Sequence, residues 1–161
     1  MKKYFFTLIT LCLFAGMSNA QSNWEIGGRL GGGGWAPGNH SNNFSIDMTI
    51  PFKAPRLHAA LYLDNDIAAG VYFDWMFILN KGPKGLKFYP GVGPELYFYD
   101  GVDLAVAGDF GVEYSFDFPL TVGVDWRPNF MLTDNMNYSS GNWGILARFR
   151  IGEGISFVRS K

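Results

Sequence analysis

The chain has 161 residues, with 13 Lys and Arg against 14 Asp and Glu, so its net charge is −1 at neutral pH. So even a balance, without any basic block, excludes a surface built for a nucleic-acid backbone. Aromatic and charged residues each make up 17% and there are 21 glycines, a composition that favours strands over helices.

The N-terminus reads as a secretory signal. Lys2 and Lys3 form a basic head, Tyr4 to Ala15 is an apolar run broken only by Thr7 and Thr10, and Ser18-Asn19-Ala20 supplies small residues for cleavage. The run is too short to cross a bilayer as a helix, and no later stretch is continuous enough to do so. The expected division is a signal over 1–20 and one barrel domain over 21–161. The single cysteine, Cys12, lies inside the signal, so the mature chain has neither a disulfide nor a thiolate metal site.

From there the dominant pattern is period two, the signature of strands. Eight segments carry it: Trp24 to Leu30, Phe44 to Phe52, Leu57 to Leu63, Ala69 to Leu79, Leu86 to Phe98, Asp103 to Phe116, Leu120 to Arg127 and Asn142 to Ile151. Turn residues separate them. Lys53-Ala-Pro-Arg56, Asp64-Asn-Asp66, Asp100-Gly101 and Asp117-Phe-Pro119 are tight, and Asn80 to Gly85 is of medium length. The longest polar links are Trp35 to Asn43 and Leu132 to Gly141. Links this short leave no room for crossover helices, so neighbouring strands run antiparallel.

Each segment has one phase without charge and one with ionisable residues. The uncharged phase includes Trp24, Ile26, Leu30, Phe73, Trp75, Val124, Trp126, Trp143, Ile145 and Phe149. The other includes Glu25, Arg29, Asp47, His58, Asp74, Glu95, Asp109, Glu113, Asp125, Arg127, Arg148 and Arg150, interleaved with Gly27, Gly70, Gly91, Gly93, Gly111, Gly123 and Gly144. A water-soluble barrel turns the apolar phase inward, and a membrane barrel turns it toward lipid. Two features favour lipid. Glycine weakens a strand and needs a reason, such as making room beside long charged side chains in a narrow lumen. Large aromatics crowd the segment ends, as interfacial girdles require, and Trp24, Trp75, Trp126 and Trp143 read as interface anchors. Strands in lipid must close on themselves, since an unpaired backbone group there costs several kcal/mol.

The signal, the eight alternating segments, the tight turns, and the stretches Phe88-Tyr-Pro-Gly-Val-Gly-Pro-Glu-Leu-Tyr-Phe98 and Gly111 to Tyr114 with Asp125-Trp-Arg-Pro128 resemble the small outer-membrane β-barrel proteins, OmpX and the membrane domain of OmpA among them. The resemblance implies a single eight-stranded, up-and-down, antiparallel transmembrane barrel in the bacterial outer membrane. Both termini would be periplasmic, and loops 35–43 and 132–141 would face outward toward any extracellular partner. It also implies outer-membrane lipid and the barrel assembly machinery as partners. That machinery reads a terminal aromatic. This chain ends Phe157-Val-Arg-Ser-Lys161, so either Phe149 or Phe157 serves or the assembly signal is atypical.

An eight-stranded lumen is just wide enough for side chains to fill. Glu25, Arg29, Asp109, Glu113, Asp125, Arg127, Arg148 and Arg150 are therefore expected to form an internal ion-pair network that plugs it, with a narrow ion path as the alternative. Closure should bring Glu25 and Arg29 near Arg148 and Arg150. His58, without a second histidine or cysteine positioned beside it, is expected to join this network, not to bind metal. His40 and Ser41 lack an orienting acid, so catalysis by a lipid deacylase is not indicated. Gly31 to Gly34 lacks the lysine and helix of a phosphate loop.

Pro90 and Pro94 fall on the apolar phase and remove ladder donors. They mark either a bulge or late strand start, or a lateral seam for a lipid chain. No cofactor is expected. The leading reading is a non-enzymatic envelope protein. A lipid-binding or lipid-modifying barrel and a soluble lipocalin-like carrier are the alternatives.

Overall fold

The computed structural model describes residues 23–32, 44–52, 55–63, 67–79, 82–98, 101–133 and 137–151. The expected signal, the loop 35–43 with His40 and Ser41, and the tail carrying Phe157 lie outside these residues.

The described residues form a closed barrel of eight antiparallel staves and no helix. In chain order the strands are β1 (Trp24–Gly32), β2 (Phe44–Ile50), β3 (Arg56–Leu63), β4 (Ile67–Asp74), β5 (Phe77–Ile78), β6 (Leu86–Phe98), β7 (Val102–Ser115), β8 (Leu120–Trp126), β9 (Asn129–Met131), β10 (Tyr138–Ser139) and β11 (Trp143–Ile151). The ring runs β1-β2-β3-β4-β6-β7-β8-β11 and closes where β11 pairs with β1 from Trp24↔Ile151 to Gly32↔Trp143. Closure removes every free edge from the ring, the one way a sheet truly abolishes the unpaired amides of an edge strand.

Three staves are interrupted, which refines the expected boundaries. The segment read as Ala69 to Leu79 begins at Ile67 and breaks at Trp75 and Met76 before resuming as β5. Its register against β6 does not change across the break, from Asp74↔Gly91 to Phe77↔Phe88. The segment read as Leu120 to Arg127 stops at Trp126 and resumes as β9. The interruption falls on Arg127-Pro128, where proline has no N–H to give the ladder. The expected loop Leu132 to Gly141 contains a strand, β10, paired with β9 through Tyr138↔Phe130 and Ser139↔Asn129. Its Asn and Ser content hid two residues that still alternate, Tyr138 outward and Ser139 inward. Between Ser139 and Trp143 the last stave takes four steps while its partner takes three from Asn129 to Trp126, a one-residue β-bulge.

The strands are steeply staggered. From Glu113 the partners run Gly123, Leu146, Arg29, Ser45, Tyr62, Ala68, Tyr97 and Asp103, returning to β7 ten residues from the start. Stagger of this kind accompanies a strand tilt of roughly 35–45° and fixes a narrow bore.

Burial settles which phase is inside. Glu25, Asp47, His58, Asp74, Glu95, Asp109, Glu113, Asp125, Arg29, Arg127 and Arg148 are buried, while Trp24, Ile26, Leu30, Phe73, Val124, Trp143, Ile145 and Phe149 are exposed. The apolar phase faces outward.

Candidate functional site

The lumen is the one place where chemistry concentrates among the described residues. Toward the N-terminal end of β1, Arg148 Nε donates to Glu25 Oε2 at 3.1 Å and Thr121 Oγ1 donates to Glu25 Oε1 at 3.1 Å. Arg148 also donates to Glu113, whose carboxylate takes a second guanidinium from Arg56 at 2.9 Å. Arg56 turns its other edge to Asp74 at 2.9 Å and lies 4.7 Å above the Tyr89 ring. Lys87, half-buried at this mouth, stands 3.9 Å from Glu113 and donates to Ser115.

In the middle, Arg127 donates to Asp47 at 2.7 Å and to Asp109 at 3.3 Å, and lies 3.0 Å from Asp125. Arg29 donates to Asp125 from Nε at 2.7 Å and to Asn142 Oδ1 at 3.1 Å. His58 sits among three carboxylates. Its Nε2 is 3.0 Å from Asp47, and its Nδ1 is 2.8 Å from Asp109 and 3.2 Å from Asp74.

Beyond this layer the lumen changes character. Glu95 receives hydrogen bonds from the hydroxyls of Tyr62 and Tyr72 on one oxygen, and from Tyr97 at 2.7 Å and Asn129 at 3.1 Å on the other. Arg127 reaches this carboxylate only indirectly, by donating to the Tyr62 hydroxyl at 3.0 Å. Ala60, Ala68, Ala105, Ala107 and Met131 fill the space around the tyrosines.

Seven of the eight expected network residues therefore meet: Glu25, Arg29, Asp109, Glu113, Asp125, Arg127 and Arg148. Arg150 departs from the expectation. It is half-buried, and its guanidinium donates to the carbonyls of Phe116 and Phe118 at the rim. Arg29 likewise turns to Asp125, not to the β11 arginines' neighbourhood around Glu25. The sequence places Arg56 in a turn, yet as the first residue of β3 it joins two carboxylates. The lumen also holds a group of tyrosines that the sequence reading does not single out, although their phase marks them. Tyr62, Tyr72, Tyr89 and Tyr97 all sit on the charged phase, while Phe and Trp keep to the other.

Glycines make the room that long side chains need. A methyl group at Gly144 would strike the Arg29 guanidinium, one at Gly91 the Asp74 carboxylate, and one at Gly111 the Tyr89 hydroxyl.

On the outer face, Trp126 stacks on Trp143 at 5.5 Å and lies 5.6 Å from Phe110, and its indole N–H donates to the Ser140 carbonyl at 2.6 Å. Trp24 is exposed on this face and Trp75 is half-buried. Pro90 and Pro94 turn their missing donors toward the same neighbour. The Pro90 carbonyl accepts from Trp75 N at 2.9 Å, so its nitrogen also faces the β4–β5 stave. Pro94 has the same orientation four residues on, and the ladder from Gly70↔Glu95 to Phe73↔Val92 skips the two pairs between. The line carries neither a bulge nor a late start, because β6 begins at Leu86 and holds one register. Behind it stand Tyr72, Asp74 and Tyr89, all fully buried.

His58, Asp74 and Asp109 are also the residues that bring metal-ligand atoms together. Two zinc ligands each at about 2.0–2.1 Å would sit roughly 3.3 Å apart in a tetrahedral site. The 2.8 Å between His58 Nδ1 and Asp109 is a hydrogen-bond distance.

No protein-family model matches the chain, and a search of curated proteins returned no match. The class is therefore given by the fold alone: a closed, eight-stranded, antiparallel β-barrel with a charged interior.

Proposed function

We propose that the protein is a non-enzymatic integral barrel of the bacterial outer membrane, whose lumen is plugged by ion pairs and whose loops are presented to the exterior. One observation carries this reading: the polarity of the barrel is inverted, with charges buried inside and a belt of exposed Phe, Trp, Leu, Ile and Val outside. In water such a belt far exceeds the apolar patches that soluble monomers tolerate. In hydrocarbon it is the required surface, and a closed ring leaves no free strand edge facing it. A soluble carrier of apolar ligands needs the reverse arrangement.

The plug follows from the filling of the bore. Arg29, Arg56, Arg127 and Arg148 are each nearly or wholly inaccessible and each touches carboxylates. A support for the envelope, or a platform for surface loops, needs a rigid wall and no conduit. The line at Pro90 and Pro94 favours a second reading, in which an acyl chain lodges against the β4–β6 wall.

The test is gel mobility with and without heating, together with reconstitution into planar bilayers. The proposal expects a heat-modifiable band, extraction only with detergent, and no steady conductance. Recovery as a detergent-free monomer would overturn the membrane assignment, and a stable single-channel conductance would overturn the plug.

A further inference from the structure

The buried charges of the lumen do not balance on arginine alone. Among the described residues, Glu25, Asp47, Asp74, Glu95, Asp109, Glu113 and Asp125 are buried, against the guanidiniums of Arg29, Arg56, Arg127 and Arg148. Lys87 adds a fifth cation at the mouth. Glu95 is satisfied by neutral hydroxyl and amide donors, so the shortfall falls on the remaining six carboxylates and centres on His58.

We infer that His58 is a permanent imidazolium, the sixth cation of the lumen, and that it latches β3 to β2, β4 and β7. A neutral imidazole has one N–H and one bare nitrogen, so it satisfies an acceptor on one side only. Here both ring nitrogens face carboxylates. Nε2 meets Asp47 on β2, and Nδ1 meets Asp109 on β7 and Asp74 on β4. A bare nitrogen toward any of them would set lone pair against lone pair in a buried site. Two cations stand near the ring and would by themselves disfavour its charge, but both are held by the carboxylates that His58 meets. Arg127 and Arg56 are already committed to the same carboxylates, and Tyr72 meets the ring edge-on at 5.6 Å. Arg127 Nη2 lies 3.3 Å from Nε2 and, as a donor only, would suit a bare Nε2, but Asp47 Oδ2 is nearer to both, at 2.7 Å from Nη2 and 3.0 Å from Nε2, and decides the contact. The inference rests on lumen geometry and stands whether or not the outer face meets lipid.

The experiment is nitrogen NMR of ring-labelled histidine in the detergent-solubilised, folded protein at pH 8, with His40→Gln used to assign His58. A histidine of ordinary pKa near 6.5 is almost wholly neutral there. The expected result is two protonated ring nitrogens for His58. A single protonated nitrogen, or one divalent ion per chain bound through Nδ1, overturns the inference. A charge-specific rescue provides the second arm. His58→Gln should lower the unfolding midpoint, and adding Asp109→Asn should restore part of the loss. A neutral histidine predicts that the double variant is no better than the single.

Discussion

Replacing Ile145 with arginine separates the two environments that this outer face could meet. Ile145 lies in β11, paired with Leu30 on one side and Val124 on the other, and 67% of its surface is exposed. It touches too little protein for an arginine there to disturb packing. In water such a change should stay within about 0.5 kcal/mol, like other surface substitutions. In a bilayer, arginine near the midplane costs about 2–4 kcal/mol, falling to about 0–1 near the interfaces. Since about 1.4 kcal/mol is a factor of ten, the folding equilibrium in lipid should fall by roughly 30- to 1,000-fold. Ile151→Arg, at the end of the same strand, is the matched control and should cost far less. Both are measured by denaturant titration of the barrel folded into lipid vesicles. If Ile145→Arg and Ile151→Arg both remain within about 0.5 kcal/mol of the parent, the outward face does not meet hydrocarbon.

Two other perturbations probe the lumen and the wall. Asp125 accepts from Arg29 and lies 3.0 Å from Arg127, whereas among the described residues Arg29 pairs with Asp125 alone. Asp125→Leu should therefore cost about 3–5 kcal/mol in detergent unfolding, and Arg29→Met clearly less, because Arg127 still neutralises Asp125. Equal losses would mean that the network does not share charge as the distances indicate. Replacing Pro90 and Pro94 together with alanine returns two N–H donors to the β4–β5 side. Amide exchange across that line should slow, and stability should rise by about 0.5–1.5 kcal/mol for each bond made. Under the acyl-chain reading the same variant also loses lipid binding while remaining folded, and unchanged lipid binding would sink that reading.

The period-two pattern made the wall legible because burial on one face dictates residue type at every second position. Leu86 to Phe98 was found to the residue, since both of its neighbours pair without a change of register. The breaks were hidden because Trp75-Met76 and Arg127-Pro128 preserve the alternation while dropping out of the ladder. Residue phase also identified the lumen carboxylates and arginines. It did not reveal partners, because the stagger decides which residues face each other across the bore. That is why Arg29 meets Asp125 and Arg150 meets none of the expected carboxylates. Arg56 was lost to an adjacent proline that made it look like a turn. The tyrosine cage around Glu95 escaped notice because aromatics were read as one group. The hydroxyl is what turns Tyr72 and Tyr97 inward.

The closing seam between β1 and β11 joins the two ends of the described chain, and it governs how the molecule can assemble. Glu25 and Arg148 are 123 residues apart in sequence, and Arg29 and Asp125 are 96 apart. Early hairpins can form locally and already bring together Arg56 with Asp74 and His58 with Asp47, but Glu25 and Arg29 have no counter-charge until the distant strands arrive. A nascent chain thus carries unmet electrostatic demand along with an open flank, and every additional strand relieves only part of it. Such long-range pairing is intrinsically slow. Folding should therefore finish in a single concerted zipping of first strand to last, and a chain deprived of β11 should stall as a species that neither seals nor neutralises itself.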